Sequence, residues 1–185
     1  MITEYLNEVN RSMAFLAEHP QTLFVGQAVK YPGTAVTHQL TTIHTNKKLE
    51  FPVAEDFQAG FCLGLAIEGY IPVCIYPRFN FVLLAANQIV NHIDKWALMT
   101  KNMSHPKIIF KIVIGSDTPL DPGYQHKADY TAPFKQMCDF IDIIELSNAN
   151  DVFPAYEKAL HRTDHRSTIL VEHSYKYAYG PLWKR

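Results

Sequence analysis

The feature that most constrains the fold is a regular alternation of short apolar runs with longer segments of helical periodicity. Short apolar runs bounded by glycine or proline are typical of buried strands, and apolar residues spaced three and four apart are typical of amphipathic helices. The runs predicted as strands are 22–26, 49–53, 71–76, 107–114, 142–146 and 168–172. The segments predicted as helices are 2–17, 55–68, 82–97, 131–138 and 151–161. This alternation predicts an α/β fold, a three-layer sandwich in which a mostly parallel central sheet is flanked by helices.

Folds of this class bind their ligands in the loops that follow the strands. Three such loops stand out in the sequence. They are the segment that begins a helix at Glu55, the segment around Phe79, and a Pro-, Gly- and Asp-rich loop over 116–125. A small-molecule site is therefore expected at this edge of the sheet.

The charge balance argues against partners that are selected by bulk charge. The chain has 17 Lys and Arg against 18 Asp and Glu, which favours neither nucleic acid nor an anionic membrane surface. No stretch reaches the roughly 18 apolar residues of a membrane span. Three widely spaced cysteines in apolar surroundings, Cys62, Cys74 and Cys138, suit reduced thiols better than disulfides. The sequence thus predicts a cytoplasmic protein.

The length of the chain fits one domain over residues 1–173, followed by an aromatic tail over 174–185. The tail contains Tyr175, Tyr177, Tyr179 and Trp183. Such side chains could fold back on the domain or be buried in a partner. We favour burial in a partner.

The fingerprints of common nucleotide and metal sites are missing from the sequence. It contains no GxGxxG, Walker loop, HExxH, CxxC or GxSxG motif. His161 and His165 lie four residues apart and could share a helix face as metal ligands. The charged residues around them indicate an exposed helix end instead, and we predict no metal site on this chain.

Six short motifs, in a fixed order, carry a family resemblance. They are Leu6-Asn7-Glu8, Phe24-Val25-Gly26-Gln27, Pro52-Val53-Ala54-Glu55, Asn87-Gln88-Ile89-Val90-Asn91, Gln125-His126 and Leu170-Val171-Glu172-His173. With this order and spacing, the sequence resembles the N-terminal domain of the beta subunits of 2-oxo acid dehydrogenases, and the related pyrimidine domain of transketolase. The resemblance implies a pyrimidine-binding domain of a thiamine-diphosphate-dependent enzyme.

The resemblance implies that Glu55 is the central residue of the site. In this family a glutamate at the start of this helix hydrogen-bonds a ring nitrogen of the cofactor's aminopyrimidine and so activates the cofactor. A carboxyl group buried beside apolar groups suits the task because it can share a proton with the ring at neutral pH. An acidic residue also stabilises any helix N-terminus, so the local sequence alone leaves that structural explanation open.

Three further residues match cofactor or substrate positions of the family. Phe81 matches an aromatic side chain that packs on the pyrimidine ring, with Phe79 as the alternative if the alignment is shifted by two residues. Val53 matches a position that contacts the same ring. His126 matches a histidine that faces the substrate and moves protons, and it joins Glu55 as an expected catalytic residue. The structural alternatives are a core phenylalanine, a strand valine and a surface histidine.

Several positions depart from the family pattern. Gln27 lies where the beta subunits usually carry an acid, so a proton-relay role for this position is in doubt. Asn80 and Asn87 lie where aspartates are common, and Lys111 lies near a common arginine. These departures leave the substrate unassigned.

A pair of glycines bears on assembly. Gly60 and Gly64 lie four residues apart on the predicted helix over 55–68. In the family, small residues there let two helices approach across a subunit contact, although they could also pack this helix on its own sheet. We expect an oligomer.

The sequence also lacks the GDG segment and following asparagines that hold Mg²⁺ and the diphosphate in thiamine enzymes. The resemblance therefore implies a separate diphosphate-binding, alpha-like subunit that holds Mg²⁺, with self-association giving a heterotetramer. The predicted function is the pyrimidine-domain subunit of a two-component thiamine-diphosphate enzyme that acts on a 2-oxo acid or ketose and is inactive alone.

Two alternatives stay open. A non-catalytic pyrimidine-like domain with an assembly or regulatory role is compatible with the lost acidic positions, although Glu55, Phe81 and His126 speak against it. An unrelated small-molecule-binding α/β domain would require the ordered motifs to be accidental.

Overall fold

The central layer is a sheet in which every paired strand is parallel. A computed structural model describes residues 3–31 and 36–178. Within them, the strands are β1 (Thr22–Gly26), β2 (Lys48–Glu50), β3 (Ile71–Tyr76), β4 (Ile109–Ile114), β5 (Asp142–Glu145) and β6 (Thr168–His173). The six strands lie in the order β2-β1-β3-β4-β6-β5. Because all are parallel, their carboxyl ends meet at one edge of the sheet.

Helices cover both faces of this sheet. They are α1 (Glu4–Glu18), α2 (Glu55–Ile67), α3 (Phe79–Val82), α4 (Trp96–Met99), α5 (Thr131–Met137) and α6 (Ala149–His161), with a π-helical segment at Gln88–Ile93. Short 3₁₀ turns lie at His38–Leu40, Thr45–Lys47, Tyr124–His126 and Ser174–Lys176.

The strand β3 shows how one sheet supports two cores. Val73 and Ile75 pack in the core that α1 and α6 cover, whereas Cys74 and Tyr76 pack in the core that α2 and α5 cover. Successive strand residues point to opposite faces, so a strand with helices on both sides is apolar throughout. All residues of β3 and β4 are buried. The predicted three-layer α/β sandwich is confirmed.

The strand β2 is shorter than the predicted strand over 49–53. Its pairing with β1 ends at Glu50, and the N–H of Phe51 still donates to the carbonyl of Gly26 at 2.9 Å. Pro52 has no N–H with which to continue the ladder, and Val53 is 80% exposed. The chain therefore leaves the sheet before α2 begins.

The predicted single helix over 82–97 is wrong. The N–H of Asp94 donates to the carbonyl of Ile89, five residues back, which marks the π-helical segment between α3 and α4. This wider turn accompanies a buried Asp94 carboxylate, which accepts the backbone N–H groups of Asp139, Phe140 and Ile141 at 2.8–3.1 Å. The spacing of apolar residues does not predict this π turn, because the turn accompanies hydrogen bonds between Asp94 and residues 139–141, which are distant in sequence.

The described part of the aromatic tail folds back on the domain. Tyr177 is fully buried, and its hydroxyl donates to the carboxylate of Glu172. The expected burial of the tail in a partner is therefore wrong for Tyr177, whereas Tyr175 is 50% exposed. Tyr179 and Trp183 lie outside the described residues.

The three cysteines are buried and free, as expected for reduced core thiols. Across residues 3–31 and 36–178, no helix combines the length and the apolarity needed to cross a membrane.

Candidate functional site

The expected site residues follow four strands that are neighbours in the sheet. Gln27 follows β1, Glu55 follows β2, Phe81 follows β3 and His126 follows β4. In a parallel sheet these positions share the carboxyl-terminal edge. The fold thus brings residues from four separate parts of the sequence to one side of the molecule.

The start of α2 is held firmly against β3. Glu55 is the first residue of the helix, and the hydroxyl of Tyr76 donates to its backbone carbonyl at 2.8 Å. One turn later, the amide nitrogen of Gln58 donates to the carbonyl of Ile75 at 3.0 Å. These two bonds fix the position of the helix start relative to the end of β3.

The carboxylate of Glu55 is buried but poorly satisfied. The residue is 4% exposed. Within the described residues, the carboxylate makes one hydrogen bond, in which Nε2 of Gln27 lies 3.5 Å from Oε1. This separation exceeds the usual range of about 2.7–3.2 Å. Buried carboxylates normally receive several strong hydrogen bonds, so Glu55 keeps the capacity to bond a ligand.

Gln27 is held in place by the end of β2. The carboxylate of Glu50 accepts the backbone N–H groups of Ala28 at 2.6 Å and Lys30 at 2.9 Å. Ala28 takes up a left-handed conformation, with φ of 57°. These bonds fix the turn after β1 beside Glu55. At this position the amide of Gln27 can donate a hydrogen bond to the carboxylate of Glu55, whereas an acidic residue would compete with Glu55 for a proton.

Phe81, His126 and Asn80 form a second group at this edge. The ring centroids of Phe81 and His126 lie 5.3 Å apart at an interplanar angle of 65°. Nδ1 of His126 lies 3.0 Å from Oδ1 of Asn80. Phe79, by contrast, is enclosed in the core against Tyr130 and Phe134. Of the two phenylalanines, Phe81 is the one whose ring remains partly accessible.

The loop that carries His126 approaches β4 closely at a glycine. A Cβ atom on Gly115 would lie 2.2 Å from the backbone oxygen of His126 and 3.0 Å from Cγ of Pro122. Any larger residue would therefore displace the loop. The close approach at Gly115 therefore places His126 near the carboxyl end of β4.

The two groups are adjacent but separate. Tyr76 bonds Glu55 and ends β3, three residues before Phe79 begins α3, so the groups are linked through β3. Gln58 was not predicted as a site residue from the sequence, and its Oε1 is buried without a partner among the described residues. Gln58 lies three residues after Glu55 on the buried face of the same helix, and this spacing could have predicted that the two side chains are neighbours.

The outer face of α2 is apolar and exposed. Phe57 is 59% exposed and packs with Phe51 and Phe61, at centroid distances of 5.3 Å from Phe51 and 6.2 Å from Phe61. A Cβ on Gly64 would meet no atom within 4 Å, whereas one on Gly60 would touch the side chain of Gln88 at 3.6 Å. Gly60 therefore packs within this chain, and Gly64 faces outward with the aromatic cluster.

The remaining candidates lie away from this edge. His161 ends α6, and His165 lies beyond the helix with φ of 56°, so the pair does not share a helix face. In the described ranges, no group of three or more His, Cys, Asp or Glu is arranged to hold a metal ion. A cavity of about 160 Å³ beside Trp96, Phe140 and Arg166 lies near the amino ends of β4 and β6. It is thus at the opposite edge of the sheet from Glu55.

Comparisons with known proteins agree with this architecture. Residues 4–178 match the family model described as "Transketolase, pyrimidine binding domain". The pyruvate dehydrogenase E1 component subunit beta of Mus musculus and that of Homo sapiens are each 24% identical over 173 residues, covering 91% of this chain and 47% of the relative. The same subunit of Chaetomium thermophilum is 31% identical over 134 residues, covering 71% of this chain and 34% of the relative. This chain spans about half the length of the mammalian relatives.

Two solved structures share the fold. A split-gene transketolase, described as an inactive beta4 tetramer, superposes with a TM-score of 0.68 at 14% identity, covering 94% of this chain and 52% of that chain. A transketolase from Campylobacter jejuni superposes with a TM-score of 0.70 at 15% identity, covering 94% of this chain and 26% of that chain. With the family match, they confirm the resemblance seen in the sequence: the chain belongs to the transketolase pyrimidine-binding domain family.

Proposed function

We propose that this chain is the pyrimidine-binding subunit of a two-component thiamine-diphosphate-dependent enzyme acting on a 2-oxo acid or a ketose. A separate alpha-like subunit supplies the diphosphate-binding half and holds Mg²⁺. The observation that carries the proposal is the buried, under-bonded carboxylate of Glu55 at the carboxyl edge of a parallel sheet. A carboxylate with so few hydrogen bonds to its own chain keeps acceptor capacity for a ligand with a hydrogen-bonding edge.

The residues present fit the aminopyrimidine end of the cofactor. When bound, thiamine diphosphate would supply a carbon nucleophile for chemistry at a substrate carbonyl group. Glu55 would hold a proton between its carboxylate and the aminopyrimidine ring, and Gln27 would orient that carboxylate. Phe81 would offer the accessible part of its ring as a flat apolar surface, with Val53 adding a contact from the neighbouring loop.

His126 would act on the substrate side of the same site. It lies beside Phe81 and is only partly buried, so a bound carbonyl compound could approach its ring. A histidine can accept or donate a proton near neutral pH. Its assigned task is to move protons on the substrate while Glu55 acts on the cofactor.

The exposed face of α2 supports the need for another chain. Phe57 and Val53 are 59% and 80% exposed, and a Cβ on Gly64 would meet no atom within 4 Å. Exposed large apolar side chains such as these are typical of protein interfaces. One structural relative is described as a split-gene transketolase and a beta4 tetramer, so in that protein the fold occurs in a separately encoded, self-associating chain. A heterotetramer with two copies of this chain is the corresponding proposal here.

Calorimetric titration with thiamine diphosphate and Mg²⁺ tests the proposal. The chain alone should bind the cofactor weakly, and an equimolar mixture with its diphosphate-domain partner should bind tightly and convert a 2-oxo acid such as pyruvate or a ketose phosphate. Equally tight binding by the chain alone would contradict the two-component arrangement. Tight binding by the mixture without turnover of any such substrate would favour the non-catalytic alternative.

A further inference from the structure

The contact between His126 and Asn80 determines where the histidine carries its proton. Nδ1 of His126 lies 3.0 Å from Oδ1 of Asn80, a distance typical of a hydrogen bond. A carbonyl oxygen can only accept, so Nδ1 must carry the hydrogen. In the neutral ring, Nε2 is then left as the nitrogen with a free lone pair.

A second contact agrees with this assignment. Nε2 of His126 lies 3.2 Å from the amide nitrogen of Gln125, which can donate to Nε2 only if Nε2 is unprotonated. Gln125 is exposed, so its side chain can move aside when another group approaches Nε2. Asn80, in contrast, lies in the short helix α3 directly before Phe81, whose ring packs against the same imidazole. The Asn80 contact is thus built into the fold.

We propose that Asn80 is a positioning residue that holds His126 as the Nδ1–H tautomer, so that Nε2 is the nitrogen that accepts a proton from the substrate. The tautomer follows from the geometry of this chain alone, whereas the part concerning the substrate rests on the proposed function. An unconstrained histidine side chain prefers the opposite, Nε2–H tautomer. The Asn80 contact therefore changes which nitrogen is available for chemistry.

Long-range ¹H–¹⁵N NMR of the isolated, ¹⁵N-labelled chain reads the tautomer directly. Spectra are recorded well above the pH range in which histidines titrate, and the resonances are assigned with His126→Gln. We expect the Nδ1–H pattern for His126 in the natural chain and in Asn80→Asp, which keeps an acceptor. Asn80→Ala should change it to the Nε2–H pattern. Asn87→Ala, which alters an exposed asparagine that bonds Asn91 instead, should leave it unchanged.

An Nε2–H pattern in the natural chain would overturn the inference, because the amide of Asn80 would then be donating. An Nδ1–H pattern that persists in Asn80→Ala would overturn it as well, since another group would be holding the proton.

Turnover of the reconstituted enzyme separates this inference from the proposed function. Asn80→Ala should lower kcat by about 10-fold to 100-fold with KM little changed, and Asn80→Asp should recover part of the loss. An unaltered kcat in Asn80→Ala, in an enzyme that His126→Gln inactivates, would overturn the positioning role alone. Full activity of His126→Gln would instead contradict the proposed task of His126 and leave the tautomer assignment standing.

Discussion

At the scale of the residue, Glu55 combines burial with poor hydrogen bonding. The backbone carbonyl of Glu55 is well satisfied by Tyr76, but its carboxylate has the long contact to Gln27. An acidic residue can stabilise a helix N-terminus equally well from an exposed position, which is where the neighbouring Asp56 lies. Burial of Glu55 therefore fits a group that is kept ready for a ligand at some cost in stability.

This leads to a prediction for the isolated chain. Glu55→Gln keeps the shape of the side chain and removes its charge, so it should leave the free energy of unfolding unchanged or raise it by about 1 kcal/mol. Urea unfolding at neutral pH measures the change. Destabilisation by more than about 1 kcal/mol would mean that the charge supports the fold, which would weaken the case for a ligand-binding role.

Some of these residue positions could be predicted and others could not. Glu55 and Phe81 were predicted from the resemblance to the family, at positions that follow predicted strands. The pairing of His126 with Asn80 joins residues 46 apart in sequence. Such a pairing depends on the closeness of β3 and β4 and on the approach of the loop at Gly115, neither of which leaves a local pattern.

At the scale of the element, α2 has two functionally different faces. Gln58, Ala59 and Cys62 are buried against the sheet, while Phe57 and Gly64 face outward. The helix thus connects the candidate site at its first residue with an apolar surface along its length. A partner that covers this surface would lie next to the site.

The outward face of α2 gives a second prediction. Gly64→Ala should stabilise the isolated chain by about 0.5–1 kcal/mol, because a helix-interior glycine is replaced where no atom obstructs the new Cβ. Gly64→Leu should weaken association with the partner chain by about 10-fold or more, which is about 1.4 kcal/mol.

Thermal unfolding and analytical ultracentrifugation measure the two effects. Ala14→Leu, at an exposed position of α1 on the other side of the sheet, is the matched control and should not affect association. Normal association of Gly64→Leu would mean that the interface lies elsewhere.

The π-helical segment gives a third prediction, which concerns pH. Burial alone would raise the pKa of Asp94, but hydrogen bonds from Lys95 and from three backbone N–H groups outweigh it, and the pKa lies below its ordinary value. A carboxyl with a depressed folded-state pKa stabilises the fold above its unfolded pKa, near 3.9, and this contribution is lost as the pH falls through the folded-state pKa.

Asp94→Asn should therefore lower the free energy of unfolding by about 2 kcal/mol at pH 7. The difference in the free energy of unfolding between Asp94→Asn and the natural chain should become smaller below about pH 4. Urea titrations at several pH values provide the comparison, with Asp56→Asn as a control because Asp56 is exposed and lies in the first turn of α2. If this difference in the free energy of unfolding did not change with pH, the charge of Asp94 would not contribute to stability.

The elements themselves were largely predictable because their apolar patterns are strong. All six strands and the helices α1, α2, α5 and α6 were located to within a few residues. The exceptions are β2, shortened by Pro52, and the segment around Asp94, where hydrogen bonds to residues 139–141 impose a π turn. In both cases the backbone conformation is set by backbone hydrogen bonding, which the spacing of apolar side chains does not show.

At the scale of the whole molecule, a buried polar network ties the end of the described chain to the sheet. Lys111 on β4 pairs with Glu172 on β6 at 2.6 Å, and both side chains are fully buried. The hydroxyls of Tyr156 and Tyr177 donate to the same carboxylate. Burial lowers the pKa of Lys111, although the charge of Glu172 opposes the effect. Residues 174–178 are thus integral to the fold, and the departure at Lys111 is explained within this chain.

The fold leaves the site open on the side where a second chain would complete it. Glu55, Phe81 and His126 line one edge of the sheet, and the exposed apolar surface of α2 begins beside them. This openness is compatible with the proposal that the cofactor lies between this chain and a diphosphate-binding partner.

The most direct test of the account compares Glu55→Gln with Asp56→Asn in the reconstituted enzyme. Asp56 is the exposed neighbour of Glu55 in the first turn of α2, so its variant controls for the loss of an acid at the helix start. Thiamine diphosphate affinity and kcat are measured for both. We predict that Glu55→Gln binds the cofactor within a few-fold of the natural chain and loses at least about 100-fold in kcat, while Asp56→Asn matches the natural chain in both. Undiminished turnover by Glu55→Gln would contradict the central claim.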